Sequence, residues 1–239
     1  AVLPRRPDRV AAPKAIIESI RIISWDRDKY HGWPTVARRG NGELLVAYSG
    51  GRLEHQDPFG RLELMRSLDG GQTWGWPQVI YDSFLDDRDG GIAVTAKGSI
   101  LITTFTSWKS ESLLEEAEKI APGQPGAWNS ERLAAWRAAI HRVPPAQRRA
   151  ELGCWMLRST DGGMTWSARY RVPLNSPHGP VQLRGGRLIF PGILSIIDNS
   201  SYECYEHPKL TVEMRMAAKF PVELARVFTN QKTVADIRD

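Results

Sequence analysis

The sequence predicts an all-β chain: a β-propeller made of four-stranded antiparallel blades, two complete and a third begun, with a helical insertion. Two observations carry this. The nine residues "RSLDGGQTW" from Arg66 to Trp74 return almost unchanged as "RSTDGGMTW" from Arg158 to Trp166. A second pattern recurs three times: a short apolar strand, a glycine turn and a longer apolar strand. It starts at Pro34, Gly90 and Gly179, with its turns at Gly42, Gly98 and Gly186. The starts are 56 and 89 residues apart, and with residues 107–150 set aside as an insertion the second interval comes close to the ~40–50 residues of a propeller blade.

The elements follow in chain order. Residues 1–20 read as an N-terminal tail and 21–195 as the partial propeller. In "PTVARRGNGELLVAYSGG" and "GGIAVTAKGSILITTFTS", β-branched residues around a glycine turn favour strands over helices. Third strands follow in "RLELMRS" and "ELGCWMLRS", then the repeated nonapeptide, then short fourth strands in "PQVIYDS" and "ARYRVPL". The third unit begins with "GPVQLRGGRLIFPG". The insertion differs in period. "ESLLEEAEKI" and "SERLAAWRAAIHRV" place apolar residues such as Leu133, Trp136 and Ile140 at helical spacing, and Pro145 suits a helix start. Two or three short helices are expected there, with Trp136 anchoring them on the sheet. After Ile193 the pattern stops. Residues 196–239 read as a divergent segment without a third nonapeptide, and "PVELARVFTNQKTVADIRD" reads as a helix.

Composition narrows the function. The net charge is +5, but the arginines are scattered, with no basic helix, so nucleic acid is not the expected partner. A diffuse positive field suits an acidic small molecule. The longest apolar run, "RLIFPGILSII", is broken by Pro191 and Gly192 and falls short of the ~18 residues of a spanning helix. The chain starts at Ala1, and no signal peptide is read from it. Cys154 and Cys204 make no disulfide framework and are read as buried thiols in preference to a bridge. No cofactor or metal site is expected.

The nonapeptide has a physical reading of its own. The glycines after Asp69 and Asp161, among them Gly71 and Gly163, permit the positive φ of a tight hairpin. Asp69 and Asp161, helped by Ser67 and Ser159, can accept backbone N–H groups of their own turn. Trp74 and Trp166 can cover that turn. Each residue then has a structural task. The same S-x-D-x-G-x-x-W pattern resembles the Asp box of sialidases and related β-propellers. The longer runs "HGWPTVARRGNGELLVAYSGGRLEH" and "SPHGPVQL" also resemble bacterial sialidase-like glycosyl hydrolases with BNR repeats, over roughly residues 20–192. That family has six blades, so the resemblance implies that this chain is a fragment or that its C-terminal part has been replaced. It also implies exposed sheet edges open to self-association, and a secreted or periplasmic protein.

In a four-stranded blade the Asp box closes the turn between strands three and four. Function is then expected at the other end, on the longer loops. Those are 26–32, 50–60, 82–91, the insertion and 174–180. Asp57, Asp87 and Glu54 are the catalytic candidates, because crowded carboxylates raise at least one pKa. Arg52, Arg88, His31, His55 and His178 are the substrate-binding candidates. The resemblance implies an arginine triad for the substrate carboxylate, an aspartic acid as acid/base, and a tyrosine nucleophile assisted by glutamate. Gly32 stands where the first triad arginine would be. The leading expectation is a sialidase-like glycoside hydrolase, or a piece of one, acting on terminal acidic sugars such as sialic acid. Asp57 or one of the Asp86–Asp89 carboxylates would be its acid/base. The alternative is a non-catalytic propeller that binds glycans or a protein partner.

Overall fold

The computed structural model describes residues 16–196 and 205–216. The first sheet is a meander of β1 (Tyr30–Arg38), β2 (Leu44–Arg52), β3 (Arg61–Ser67) and β4 (Gln78–Tyr81), each paired antiparallel with the next. The second repeats it with β5 (Asp86–Val94), β6 (Ile100–Ser107), β7 (Gly153–Ser159) and β8 (Tyr170–Val172). In the third, β10 (Val181–Gln182), β11 (Leu188–Ile196) and β12 (Tyr205–Met216) pair in order, and β9 (Leu174–Asn175) pairs with β11. These are blades of a sialidase-type β-propeller.

The blades are joined by one apolar seam. Leu45, Ala47, Leu62 and Leu64 of the first blade pack against Ile92, Ile100 and Ile102 of the second, with Trp166 closing its margin. This explains the unbroken apolar run that opens β2: the strands in the middle of a blade are covered on both faces. Fully burying a side chain of this size stabilises the fold by about 1.5–3 kcal/mol, so the seam accounts for much of the cohesion between the two blades.

The insertion forms three helices, α1 (Lys109–Glu118), α2 (Ser130–His141) and α3 (Pro145–Glu151), which leave the sheet after β6 and return into β7. The Asn129 side chain caps α2 by accepting the Arg132 N–H at 2.8 Å, and Pro145 opens α3. Trp136 is fully buried with Leu114 and Ile140, and Phe59 from the β2–β3 loop packs against this cluster. It therefore ties the helices to one another and to that loop.

Two parts of the structure depart from the sequence reading. The polar run "DDRD" belongs to strand β5, with Asp86, Asp87 and Arg88 all buried, and is not part of an irregular loop. Within the divergent segment, residues 205–216 form β12, which extends the third sheet along β11. The N-terminal tail through residue 15, Cys204 and the expected C-terminal helix lie outside the described residues. Cys154 is buried on β7. Among the described residues, no helix is long and apolar enough to cross a membrane.

Candidate functional site

The two ends of the blades are built differently. At the β3–β4 turn, Ser67 Oγ accepts the Gly71 N–H at 2.8 Å and donates to Asp69 at 2.8 Å. Asp69 also accepts the Thr73 N–H at 2.9 and 3.0 Å. The β7–β8 turn repeats this: the Gly163 N–H reaches Ser159 Oγ at 2.7 Å and the Thr165 N–H reaches Asp161 at 3.0 Å. Hydrogen bonds from Thr73 and Thr165, then from the two serines, hold both carboxyls well below the usual carboxylate range. Trp74 Nε1 donates to the Gly71 carbonyl at 3.1 Å, and its ring lies against Val46, Tyr48 and Met65. Arg66, paired with Glu43, donates to the carbonyls of Gly162 and Gly163 at 2.9 and 3.0 Å. The second box is thus pinned to the first blade.

The opposite end is organised around Arg52, the last residue of β2 and fully buried. Its guanidinium pairs with Asp86 and donates to the Asp87 carbonyl at 2.9 Å and the His55 carbonyl at 2.8 Å. One side chain therefore joins β2, the β2–β3 loop and the start of β5. Gly60 makes this possible, because a Cβ there would lie 2.2 Å from Arg52 Nη2. Asp57 is fully buried; its two oxygens accept the Leu53 N–H at 2.9 Å and the Phe59 N–H at 2.7 Å. Asp87 is fully buried as well, and Ser83 Oγ donates to it at 2.8 Å. Burial pushes the Asp86 carboxyl up to about 7 and raises Asp87 too, against the pull of Arg52 on the first and of Ser83 on the second.

Beside this knot lies a second group. The Arg88 side chain is 8% exposed. Its guanidinium carbon stands 5.0 Å from the centre of the Trp33 ring and 5.7 Å from that of Phe105. Its ion pair with Asp86 is loose, at 3.8 Å, and its Nε is buried with no hydrogen-bond partner among the described residues. Buried cations are normally paired and hydrogen-bonded, so this guanidinium retains donor capacity for an anion. His55 is exposed and sets its ring edge-on to Trp33, 4.9 Å between centres. Desolvation, then the Arg88 and Arg52 charges, lower its pKa.

The structure therefore brings together Arg52, His55, Asp57, Asp87 and Arg88. It places the other candidates apart from them. Glu54 pairs with Arg132 of α2, whose guanidinium stacks 3.6 Å above the Trp128 ring. His31 bonds Ser24 Oγ at 2.7 Å and meets the Tyr48 ring, on the flank of the first blade. His178 contacts Thr35 Oγ1 at 3.3 Å. Sequence reasoning passed over Trp33 and Phe105. The available signal for Trp33 was "GWP" itself, an aromatic next to Gly32, where the resemblance expects an arginine. Among the described residues, no group of three or more His, Cys, Asp or Glu side chains is placed to hold a metal ion.

No protein-family model matches the chain, and no curated protein sequence does. Solved structures do match. A protein of unknown function from Dyadobacter fermentans is similar over 90% of this chain and 56% of its own, at 16% identity and a TM-score of 0.53. The NanB sialidase from Streptococcus pneumoniae is similar over 91% of this chain and 46% of its own, at 11% identity and a TM-score of 0.50. The chain thus spans about half the length of either structure. At such identities the likeness concerns the fold.

Proposed function

We propose that the chain carries the acidic-sugar site of a sialidase-like glycoside hydrolase, acting on terminal sugars such as sialic acid. The observation that carries this reading is Arg88: a guanidinium nine-tenths buried, held between two aromatic rings, with no hydrogen bond to Nε. A carboxylate presented to it gains a charge-assisted and potentially bidentate pair in a site shielded from water. Arg52 supports the site from behind. Its Nη1 and Nη2 donors are engaged by Asp86 and by two carbonyls, so it fixes the loop that carries His55. The family likeness of the Asp boxes and the propeller fold agree with a carbohydrate ligand.

For catalysis, the acid/base falls to Asp57 or to a carboxylate of the Asp86–Asp89 run. Asp86 has the titration range for it, since burial brings its carboxyl to about 7. A second reading, a non-catalytic propeller that binds glycans, is favoured by one observation: Asp57 and Asp87 are fully buried and engaged by their own loops. Fluorogenic sialosides and a panel of other aryl glycosides separate the two. The hydrolase reading expects release of the fluorophore by the wild type and loss of it in Asp57→Asn and Asp86→Asn variants that still fold. Glycan-array binding with no turnover of any substrate would reject it in favour of the binding protein.

A further inference from the structure

Strands β1 and β5 begin with the same backbone device. In β1 the partner register runs from Gly32↔Ser49 to Thr35↔Ala47, and in β5 from Arg88↔Phe105 to Gly91↔Thr103. Each strand thus carries one extra residue, a β-bulge. The residue at the bulge has positive φ in both, 51° at Trp33 and 54° at Asp89, and Gly179, just ahead of β10, has 71°. Such φ values cost roughly 1–3 kcal/mol in a non-glycine residue and gather at functional sites. The device at Asp89 is held from both sides, by its N–H on Ser49 Oγ at 2.8 Å and by Thr104 Oγ1 on the Arg88 carbonyl at 2.7 Å.

This register makes Gly32 and Arg88 equivalent positions, each one residue before the residue of positive φ. In the second blade the position holds the buried cation. In the first it holds glycine, and a Cβ on Gly32 would lie 2.7 Å from the Tyr30 ring. The Tyr30 ring therefore fills the space that a side chain at 32 would need. Tyr30 is exposed, Trp33 is half-buried, and their ring centres are 5.8 Å apart. The first blade thus presents aromatic surface where the second presents a guanidinium, and Trp33 borders both.

Resting on the acidic-sugar reading above, we infer that Tyr30 and Trp33 form a stacking platform for the apolar face of a pyranose whose anionic substituent pairs with Arg88. Aromatic rings take the C–H face of a sugar through apolar contact and through the same ring quadrupole that attracts cations. The preferred ligand is an anionic pyranose, and either a carboxylate or a sulfate satisfies Arg88.

Calorimetric titration of the chain with methyl glucuronide, a methyl galactoside sulfate, methyl sialoside and neutral methyl glucoside tests this. The variants are Tyr30→Ala, Trp33→Phe and Arg88→Met, each checked by thermal melting. Tyr30→Ala is expected to weaken acidic and neutral glycosides alike, by about threefold to tenfold. Trp33→Phe, which keeps a ring, is expected to retain most of the binding. Arg88→Met is expected to reduce the acidic ligands to the level of the neutral one. A preference among the three acids would identify which anion the platform orients. Unchanged affinity in Tyr30→Ala, with acid selectivity still lost in Arg88→Met, would overturn the platform and leave the anion site standing. Absence of acid selectivity in the wild type would overturn both.

Discussion

The two ends of the same blades handle aspartate in opposite ways. At the Asp-box end, Asp69 and Asp161 are reached by solvent, and donors of their own turns hold their carboxyls low. At the other end, Asp86 and Asp87 are buried, and burial raises their carboxyls. The box closes on itself within a few residues and is therefore easy to repeat. The opposite end depends on Arg52, which joins segments far apart in the chain. A turn satisfied locally is suited to being a frame. A knot of buried charge with an incompletely paired cation beside it is suited to recognition.

That contrast can be broken from either side. The largest effect is expected from Arg52→Met, which leaves Asp86 and the Asp87 carbonyl buried without their donor. Breaking a buried pair costs about 3–5 kcal/mol, and chemical denaturation should show a loss of that size. A loss below about 1 kcal/mol would mean that water or rearrangement replaces the guanidinium. Ser67→Ala at the box should cost less, about 1–3 kcal/mol, because the Gly71 N–H loses its acceptor and exposed Asp69 loses one donor.

Acidification sharpens the comparison further. The box carboxyls lie below their unfolded-chain value of about 3.9. Their contribution is therefore complete above about pH 4 and is lost as pH falls through the folded-state value. Asp86 has the opposite sign. With its carboxyl raised to about 7, the folded state takes up its proton first, so acidification from pH 7 toward pH 4 favours folding at this group. Melting temperatures of wild type and Asp69→Asn should differ by a constant amount above pH 4 and converge below it. The difference between wild type and Asp86→Asn should widen in favour of the wild type between pH 7 and pH 4. Parallel curves for the two variants would remove the distinction.

Much of the frame was legible in the sequence. The doubled nonapeptide and the strand–glycine–strand pattern located the blades, because hairpins write their geometry in adjacent residues. Pro145 and the spacing of Leu133, Trp136 and Ile140 located the helices for the same reason. The site was less legible because its interactions are long-range. "DDRD" reads as a solvated turn until Arg52, which neutralises it, is placed against it. The left-handed backbone of Trp33 is equally hidden, since a residue before proline is ordinarily extended. The strand at 205–216 carries no turn signal, and its partner β11 alone reveals it.

The smallest expected change in stability goes with the most informative variant. Arg88 makes no hydrogen bond through Nε and only a loose ion pair, and exchanging a buried charge for an apolar side chain of similar volume is often near neutral, so Arg88→Met should alter stability least. Calorimetric titration of wild type and Arg88→Met with an acidic glycoside and its neutral counterpart tests the central claim most directly. The account expects the wild type to bind the acidic sugar more tightly by tenfold or more, about 1.4 kcal/mol, and the variant to bind the two equally. Equal binding by the wild type, or selectivity retained in the variant, would contradict it.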